Sequence, residues 1–264
     1  MAEPTLQWLE DRSRMTALLE THGLGRAFGA LNAVSDLTLE VQAGELRAVI
    51  GPNGAGKTTL FHLISGLLPA TSGRVLFRGE DVTGLPAPAR CRRGISRTFQ
   101  ITSLFPELTT LENVRMAVQL KREGNFRVLG GRALLTVTEA RARESLAFLG
   151  LAERAGEPAG TLPHGDQRLL EIAMALAQDP ELLLLDEPTQ GLSPEDTAAT
   201  VAVIRQIARD RRLTIILVEH DMDVVFDLAA RISVLHFGQL IAEGTPDAIR
   251  ANAEVQKAYL GGLE

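Results

Sequence analysis

A glycine-rich octapeptide, Gly51–Thr58, combines the residue types that bind phosphate. It fits the pattern GxxxxGK[ST] in full, follows the apolar run Leu46–Ile50 and opens the apolar segment Thr58–Leu67, which we predict to be a helix. Glycines let a loop fold round phosphate with its N–H groups pointing inward, and the start of a helix adds positive potential. Lys57 would neutralise the β- and γ-phosphates, and Thr58 would hold Mg²⁺. The alternative is a tight turn with an exposed lysine. The predicted nucleotide contacts are Gly51, Pro52, Asn53, Gly54, Ala55, Gly56, Lys57, Thr58 and Thr59.

Two acidic residues, Asp186 and Glu187, end a run of four leucines. In open α/β folds, ligands bind at the carboxyl ends of the strands. Asp186 is therefore predicted to reach the Mg²⁺ shell. Glu187 would orient or deprotonate an attacking water, a role worth about 10² to 10⁴ in rate. Acidic residues at strand ends can also be helix caps, but a phosphate-binding loop in the same chain favours the catalytic interpretation.

Two further polar residues are candidates for the same site. His220 follows the predicted strand Leu213–Val218, so we expect a polar contact to the γ-phosphate, although a histidine there can be structural. Gln100 ends the segment Arg97–Gln100. It could sense Mg²⁺ or water and couple the following region to the nucleotide, and spacing alone leaves a structural role open.

The elements that must position these residues alternate between short apolar runs and helix-like segments. This pattern is typical of an α/β fold with a parallel sheet covered by helices. Glu181–Asp186 reads as a strand buried on both faces. A helix is predicted after Ser193–Pro194, because proline suits a first turn, and another from Leu169 until Asp179–Pro180.

Between about Ile101 and Leu162 the strand pattern disappears. Leu111–Leu120 and Thr138–Phe148 have helical spacing, and we interpret the region, about 101–167, as a helical insertion. The glycine-containing stretch between them, Gly124–Gly131, is predicted to be a mobile connection.

Length and composition limit the classes of protein. The 264 residues allow one domain with an insertion, and no run of about 18 apolar residues could cross a bilayer. We take residues 1–15 as an N-terminal extension without the apolar core of a secretory signal and 16–264 as one domain, beginning near the strand-like Leu18–Glu20. Cys91 is the only cysteine, which excludes an intrachain disulfide and favours the cytosol.

The formal net charge of −6 opposes broad binding of nucleic acid. Four arginines close together could still form a local basic patch, or more simply a solvated face or docking surface. They are Arg90, Arg92, Arg93 and Arg97.

The ordered motifs resemble the nucleotide-binding subunits of ABC transporters from Leu18 to Gly262. Gly51–Thr59 is similar to their Walker A loop, Leu182–Glu187 to the Walker B strand with its catalytic glutamate, and Gly191–Pro194 to the D-loop. Gln100 resembles the Q-loop glutamine, and His220 the switch histidine. Phe28 stands where the family stacks an aromatic ring on adenine, worth about 1 to 3 kcal/mol by analogy with base stacking; the alternative is a core phenylalanine.

The resemblance implies ATP and Mg²⁺ as cofactors and ATP hydrolysis as the activity. It also implies a P-loop NTPase core with a RecA-like parallel sheet, an antiparallel β edge and an inserted α-helical subdomain. The expected partners are transmembrane permease subunits, a second ATP-binding subunit and, indirectly, a periplasmic or extracellular solute-binding protein, with no nucleic acid. The expected location is the cytoplasmic face of the plasma membrane.

The family's signature, Leu-Ser-Gly-Gly-Gln, is replaced here by Leu162–Asp166. By this resemblance, Pro163 would remove a hydroxyl that faces the γ-phosphate of ATP on the partner subunit, while His164 and Gly165 would still contact that nucleotide. Asp166 would bring a repulsive carboxylate near the phosphates unless it is turned away or hydrogen bonded. We therefore expect a heterodimer with two unequal ATP sites, with a homodimer as the alternative.

Within the family, Arg97–Gln100 and Ile241–Pro246 are most similar to ATP-binding proteins of branched-chain amino-acid importers, with urea importers nearly alike. A soluble ABC ATPase acting on nucleic acid would be expected to carry a coiled coil or a second cassette. A module that binds ATP without hydrolysis is opposed by Glu187 and His220. Leu104–Pro106 is expected to offer an apolar edge to the permease.

Overall fold

The computed structural model describes residues 17–98, 104–122 and 131–260. Its strands are β1 (Ala17–Phe28), β2 (Leu31–Gln42), β3 (Leu46–Ile50), β4 (Ser72–Phe77), β5 (Glu80–Asp81), β6 (Ile95–Arg97), β7 (Leu182–Asp186), β8 (Thr214–Val218), β9 (Arg231–His236) and β10 (Gln239–Gly244). Its α-helices are α1 (Lys57–Ser65), α2 (Ala87–Arg92), α3 (Thr110–Arg122), α4 (Gly131–Phe148), α5 (His164–Leu176), α6 (Pro194–Arg211), α7 (Met222–Leu228), α8 (Pro246–Arg250) and α9 (Ala253–Leu260).

The strands form two sheets. The larger has the order β10-β9-β3-β8-β7-β6, with parallel pairing from β9 to β6 and an antiparallel pair of β9 with β10. The smaller has the order β2-β1-β4-β5 and is antiparallel throughout. The prediction of an α/β fold with a parallel core and an antiparallel β edge is confirmed.

The run of leucines in β7 is buried on both faces because two cores meet at the large sheet. Leu183 and Leu185 pack into a core shared with α3, α4, α5 and α6. Leu182 and Leu184 face the opposite core, between this sheet, α1 and the smaller sheet. Strand residues point alternately to the two faces, so a strand covered on both sides reads as continuous apolar sequence.

The helix after the glycine-rich loop is shorter than Thr58–Leu67 and begins one residue earlier. It ends because Gly66 adopts a left-handed φ of 78° and donates its N–H to the carbonyl of His62. The buried guanidinium of Arg90 then bonds to the carbonyl oxygens of Leu63 and Ile64 at 2.7 and 2.8 Å. Burial lowers the pKa of Arg90 to about 10, so the side chain stays charged and stabilises this helix end.

The described part of the region 101–162 contains α3, α4 and two short 3₁₀ turns. Leu111–Leu120 lies inside α3, whereas α4 begins seven residues before the predicted Thr138. Gly131, assigned to the mobile connection, is the first residue of α4. The rest of that connection, Gln100 and the N-terminal extension lie outside the described residues.

Local sequence explains other boundaries. Ser193 caps α6 by accepting a hydrogen bond from the N–H of Asp196, with Pro194 in the first turn, as predicted. The helix predicted from Leu169 begins earlier, at His164. Among the helices in the described ranges, none combines the length and apolar character needed to cross a membrane.

Candidate active site

The glycine-rich residues 51–56 form the loop between β3 and α1, and Lys57, Thr58 and Thr59 are the first residues of α1. The loop needs glycine at Gly56, which has a φ of 101° and where a Cβ would lie 2.4 Å from the carbonyl oxygen of Ala33. The N–H of Gly238, in the β9–β10 turn, donates to the carbonyl of Ala55 at 3.0 Å. The loop is therefore supported by both sheets.

Lys57 arches back over this loop. Its ammonium donates to the carbonyl oxygens of Gly51 at 2.6 Å and Pro52 at 3.1 Å. Burial lowers the pKa of Lys57, and the carboxylates of Glu187 and Asp186 partly oppose this. The ammonium of Lys57 therefore lies close enough to the acidic pair after β7 to interact with both carboxylates.

Glu187 and His220 lie after neighbouring parallel strands, β7 and β8, and contact each other. His220 Nε2 is 2.9 Å from Glu187 Oε1. An ionised carboxylate only accepts, so Nε2 carries the proton when Glu187 is charged. Glu187 is buried, whereas the side chain of His220 is 46% exposed. The pair thus has one member fixed in the protein and one open to a ligand.

The backbone of Glu187 is strained. Its φ is +48°, in the left-handed region where a residue with a Cβ costs about 1 to 3 kcal/mol. The N–H of Glu187 donates to the carbonyl of Val218 at 2.9 Å. Such a conformation at a polar site is typical of functional positions.

Asp186 is fully buried and is paired with a residue to which the sequence analysis gave no role in the site. Arg97 Nη2 lies 2.6 Å from Asp186 Oδ2. Burial lowers the pKa of Arg97, and Asp186 opposes this. In the described part of the chain, Asp186 Oδ1 is buried and accepts no hydrogen bond. A buried carboxylate oxygen without a hydrogen-bond donor suits a cation that takes one or two protein oxygens together with phosphate oxygens.

No group of three acidic, histidine or cysteine side chains in the described residues could hold a metal alone. Mg²⁺ does not need three protein side chains, because it is usually bound by one or two carboxylates together with substrate phosphates. The donor set of Thr58 and Asp186 therefore fits Mg²⁺ bound with a nucleotide.

Phe28 ends β1 on the exposed side of the smaller sheet. Its side chain is 43% exposed, and the guanidinium of Arg26 lies 4.6 Å from its ring centroid. The alternative of a core phenylalanine is wrong, because a core ring is not left this open to solvent. A half-exposed aromatic face is available for stacking.

The variant signature forms the N-terminus of α5. Pro163 is the N-cap, and no side chain caps the helix. Gly165 packs so closely against α6 that a Cβ would lie 2.7 Å from Asp196 Oδ1. Asp166 Oδ2 is 2.8 Å from Arg154 Nε. The expected repulsive carboxylate is thus paired within the chain.

The interpretation of the four arginines as one patch or one solvated face is wrong. Arg90 and Arg97 are buried, one against the end of α1 and the other on Asp186. Arg92 and Arg93 remain exposed. Arginine spacing cannot reveal this, because the buried partners come from other elements.

Sequence reasoning also missed the buried Glu219. It accepts hydrogen bonds from Thr189 and from the N–H of His220. A charged residue directly after a buried strand was a signal for a buried role. Its partner Thr189 lies 30 residues away in the sequence, so no local pattern indicates that the two residues are paired.

Comparisons with known proteins identify the family of this chain. A family model described as ABC transporter matches residues 34–190, and one described as branched-chain amino acid ATP-binding cassette transporter matches residues 239–263. The chain is 41% identical over 249 residues to the high-affinity branched-chain amino acid transport ATP-binding protein LivG of Escherichia coli K12, covering 92% of this chain and 98% of that protein.

Solved structures are also similar. An ATP-binding cassette of an ABC transporter in its ADP conformation gives a TM-score of 0.81 at 28% identity, covering 93% of this chain and 99% of that chain. A dimeric cassette in a post-hydrolysis state, bound to ADP and Pi, gives 0.74 at 25% identity, covering 86% and 98%.

Proposed function

Because this chain belongs to the ABC transporter family as an ATP-binding subunit with ATPase function, we propose that its loop Gly51–Gly56 and helix α1 bind ATP and that Glu187 drives hydrolysis. The observation that carries this proposal is the 2.9 Å contact of Glu187 with His220 beside the glycine-rich loop. Positioning and electrostatics supply most of the catalysis of phosphoryl transfer.

The N–H groups of the loop and the N-terminus of α1 receive the phosphates. Lys57 exchanges its two carbonyl partners for the β- and γ-phosphates, which relieves its desolvation. Thr58 and Asp186 would hold Mg²⁺, which would offset the negative charge of the phosphates. Gln100 is proposed to sense Mg²⁺ or water and to couple the following region to the nucleotide. Phe28 stacks on the adenine.

Glu187 orients the attacking water and accepts its proton in the in-line displacement. His220 holds this carboxylate through Nε2 and contacts the γ-phosphate from its exposed side. Arg97 orients the carboxylate of Asp186 through a charge-assisted hydrogen bond. The base, the phosphate contacts and the metal ligands thus come from separate loops at one edge of the sheet.

His164 and Gly165 are proposed to contact ATP held by a second ATP-binding subunit. The start of α5 presents backbone N–H groups that no side chain caps, which suits an anionic ligand. Pro163 lacks the serine hydroxyl of the signature. We infer a heterodimer with unequal sites. In the assembled complex, Pro163→Ser should raise hydrolysis at the partner-bound site only, and equal effects at both sites would contradict this.

Residues about 101–167 are proposed to form a helical subdomain that passes force to permease subunits. Phe105 is 47% exposed. A pocket of about 330 Å³ between α1, α2 and β6 is lined in part by Leu67, Pro88 and Ile95. Phe105→Asp should abolish transport while ATP binding persists; unchanged transport would reject this contact.

The transported solute is proposed to be a branched-chain amino acid or a related small polar solute. Support comes from the match at residues 239–263 and from the LivG similarity over 92% of the chain. Urea is the alternative, because urea-importer ATPases resemble this branch. The protein would then work at the cytoplasmic face of the plasma membrane, held there by the permease, with an extracytoplasmic solute-binding protein delivering the cargo.

Co-purification from native membranes tests this proposal. The tagged chain should bring down multispanning proteins and a second ATPase subunit, and the eluate should hydrolyse ATP. A solute-binding protein in the eluate would provide the means to measure cargo affinity directly. Recovery of ribosomal or DNA-associated proteins without membrane partners would overturn the proposal in favour of a soluble ABC ATPase.

A further inference from the structure

A buried carboxylate joins the two loops that carry the proposed catalytic pair. Glu219 follows β8 and is only 4% exposed. Its Oε1 accepts hydrogen bonds from the N–H of Thr189 at 2.8 Å and from Thr189 Oγ1 at 2.5 Å. Its Oε2 accepts from the N–H of His220 at 3.0 Å. One side chain therefore ties the loop after β7 to the loop after β8.

The groups bound by this carboxylate flank the catalytic pair. Thr189 is two residues after Glu187, and His220 is itself a member of the pair. The left-handed conformation of Glu187 persists only if its surroundings fix it. One constraint is the bond from its N–H to Val218, and the anchoring of Thr189 is a second.

The charge and shape of Glu219 suit this task. An ionised carboxylate accepts at both oxygens, and such charge-assisted bonds are roughly twice as strong as neutral ones. A glutamine has the same size but only donates through its amide nitrogen, so it can satisfy only one of the two loops. The contact of Thr189 through both its backbone and its hydroxyl makes threonine or serine necessary at that position.

We propose that Glu219 is a positioning residue for ATP hydrolysis, holding Thr189 and His220 so that Glu187 stays within reach of His220 Nε2. It acts through Glu187, and the inference therefore rests on the proposed role of that residue. Loss of the link should lower kcat and leave ATP binding in place, because Glu219 contacts neither the glycine-rich loop nor Lys57 in the described hydrogen bonds.

The test is steady-state ATP hydrolysis by the full chain in the complex in which it is purified. Glu219→Gln should lower kcat about 10-fold, with the KM for ATP changed by less than about twofold. Thr189→Val should lower kcat about 3-fold, while Thr189→Ser, which keeps the hydroxyl, should stay near wild type. Thr189→Val retains the carboxylate and serves as the decisive variant if Glu219→Gln does not fold.

The same substitutions in a Glu187→Gln background separate positioning from general stability. Neither Glu219→Gln nor Thr189→Val should lower the residual kcat further, because the group they position is already gone. Wild-type kcat in both single variants, or a further loss in the Glu187→Gln background, would overturn the inference. Full activity of Glu187→Gln itself would instead remove the proposed function, so the two failures are distinguishable.

Discussion

The edge of the large sheet and the N-terminus of α5 are both proposed to contact ATP, but they are held very differently. At the sheet edge, Lys57, Asp186 and Glu187 each contact a partner from the same chain at 2.6 to 2.9 Å. At the start of α5, Pro163 and His164 are exposed and the helix has no side-chain cap.

This difference indicates whether the polar groups of each region find their partners within the chain or in a ligand. The sheet edge is pre-organised, which lowers the reorganisation needed during hydrolysis. The start of α5 leaves its N–H groups available to a ligand, which we propose that a second ATP-binding subunit supplies. Substitutions at the sheet edge should therefore lower kcat strongly. Substitutions at the start of α5 should have smaller effects, on the KM for ATP bound to the second subunit.

The largest effect is expected at Glu187. Glu187→Gln should lower kcat at least about 100-fold with ATP still bound, since the base is lost while the phosphate contacts remain. Hydrolysis assays with fluorescent nucleotide binding would measure both quantities. Glu254→Gln, an exposed acid in α9, should change neither. A comparable loss in ATP affinity would mean that Glu187 serves binding instead.

The next largest effect is expected at Arg90, which supports the C-terminal end of α1, and it concerns stability. Arg90→Met removes bonds to the carbonyl oxygens of Leu63, Ile64, Leu85 and Thr83. The two buried carbonyls, of Leu63 and Ile64, are left unpaired, which should lower the free energy of unfolding by about 2 to 6 kcal/mol at about 1 to 3 kcal/mol each. Thermal unfolding should show Tm lowered by about 10 °C. Arg92→Met, on the exposed side of α2, is the matched control. An unchanged Tm would show that the helix end needs no guanidinium.

Loss of adenine stacking, measured as the affinity for ATP, should have a smaller effect than the two preceding substitutions. Phe28→Ala should raise the Kd for ATP about 5- to 150-fold, corresponding to about 1 to 3 kcal/mol. Phe28→Tyr keeps the aromatic face and should bind like wild type. Isothermal titration would measure both, and equal Kd values for the alanine and tyrosine variants would remove Phe28 from the site.

The sequence predicted the parts of this comparison that depend on local pattern. The strand–loop–helix around Gly51–Thr58 and the parallel core are confirmed, because the glycine spacing and apolar runs encode them directly. The roles of Gln100, Glu187 and His220 stay predictions. Arg97 was recognised only as part of a motif and a basic cluster.

Long-range pairings could not be predicted from the sequence. Arg97 and Asp186 are 89 residues apart and meet because β6 pairs with β7 in the sheet. The partners of Glu219 depend in the same way on β7 and β8 being neighbours. Local propensity carries no information on strand order, and therefore none on which buried charges will meet.

The smallest expected effect concerns α5. Arg154→Ala removes the partner of Asp166 and frees a carboxylate beside the site where we propose that α5 meets ATP of a second subunit, so we expect about a 3-fold rise in the KM for ATP. Tm should hardly change, because pairs this exposed contribute about 0 to 1 kcal/mol to stability. Adding Asp166→Asn should restore the KM, since the repulsive charge is gone. If the double variant keeps the raised KM, Arg154 itself contacts the nucleotide, and this end of α5 takes part in binding more directly than its exposed N-terminus suggests.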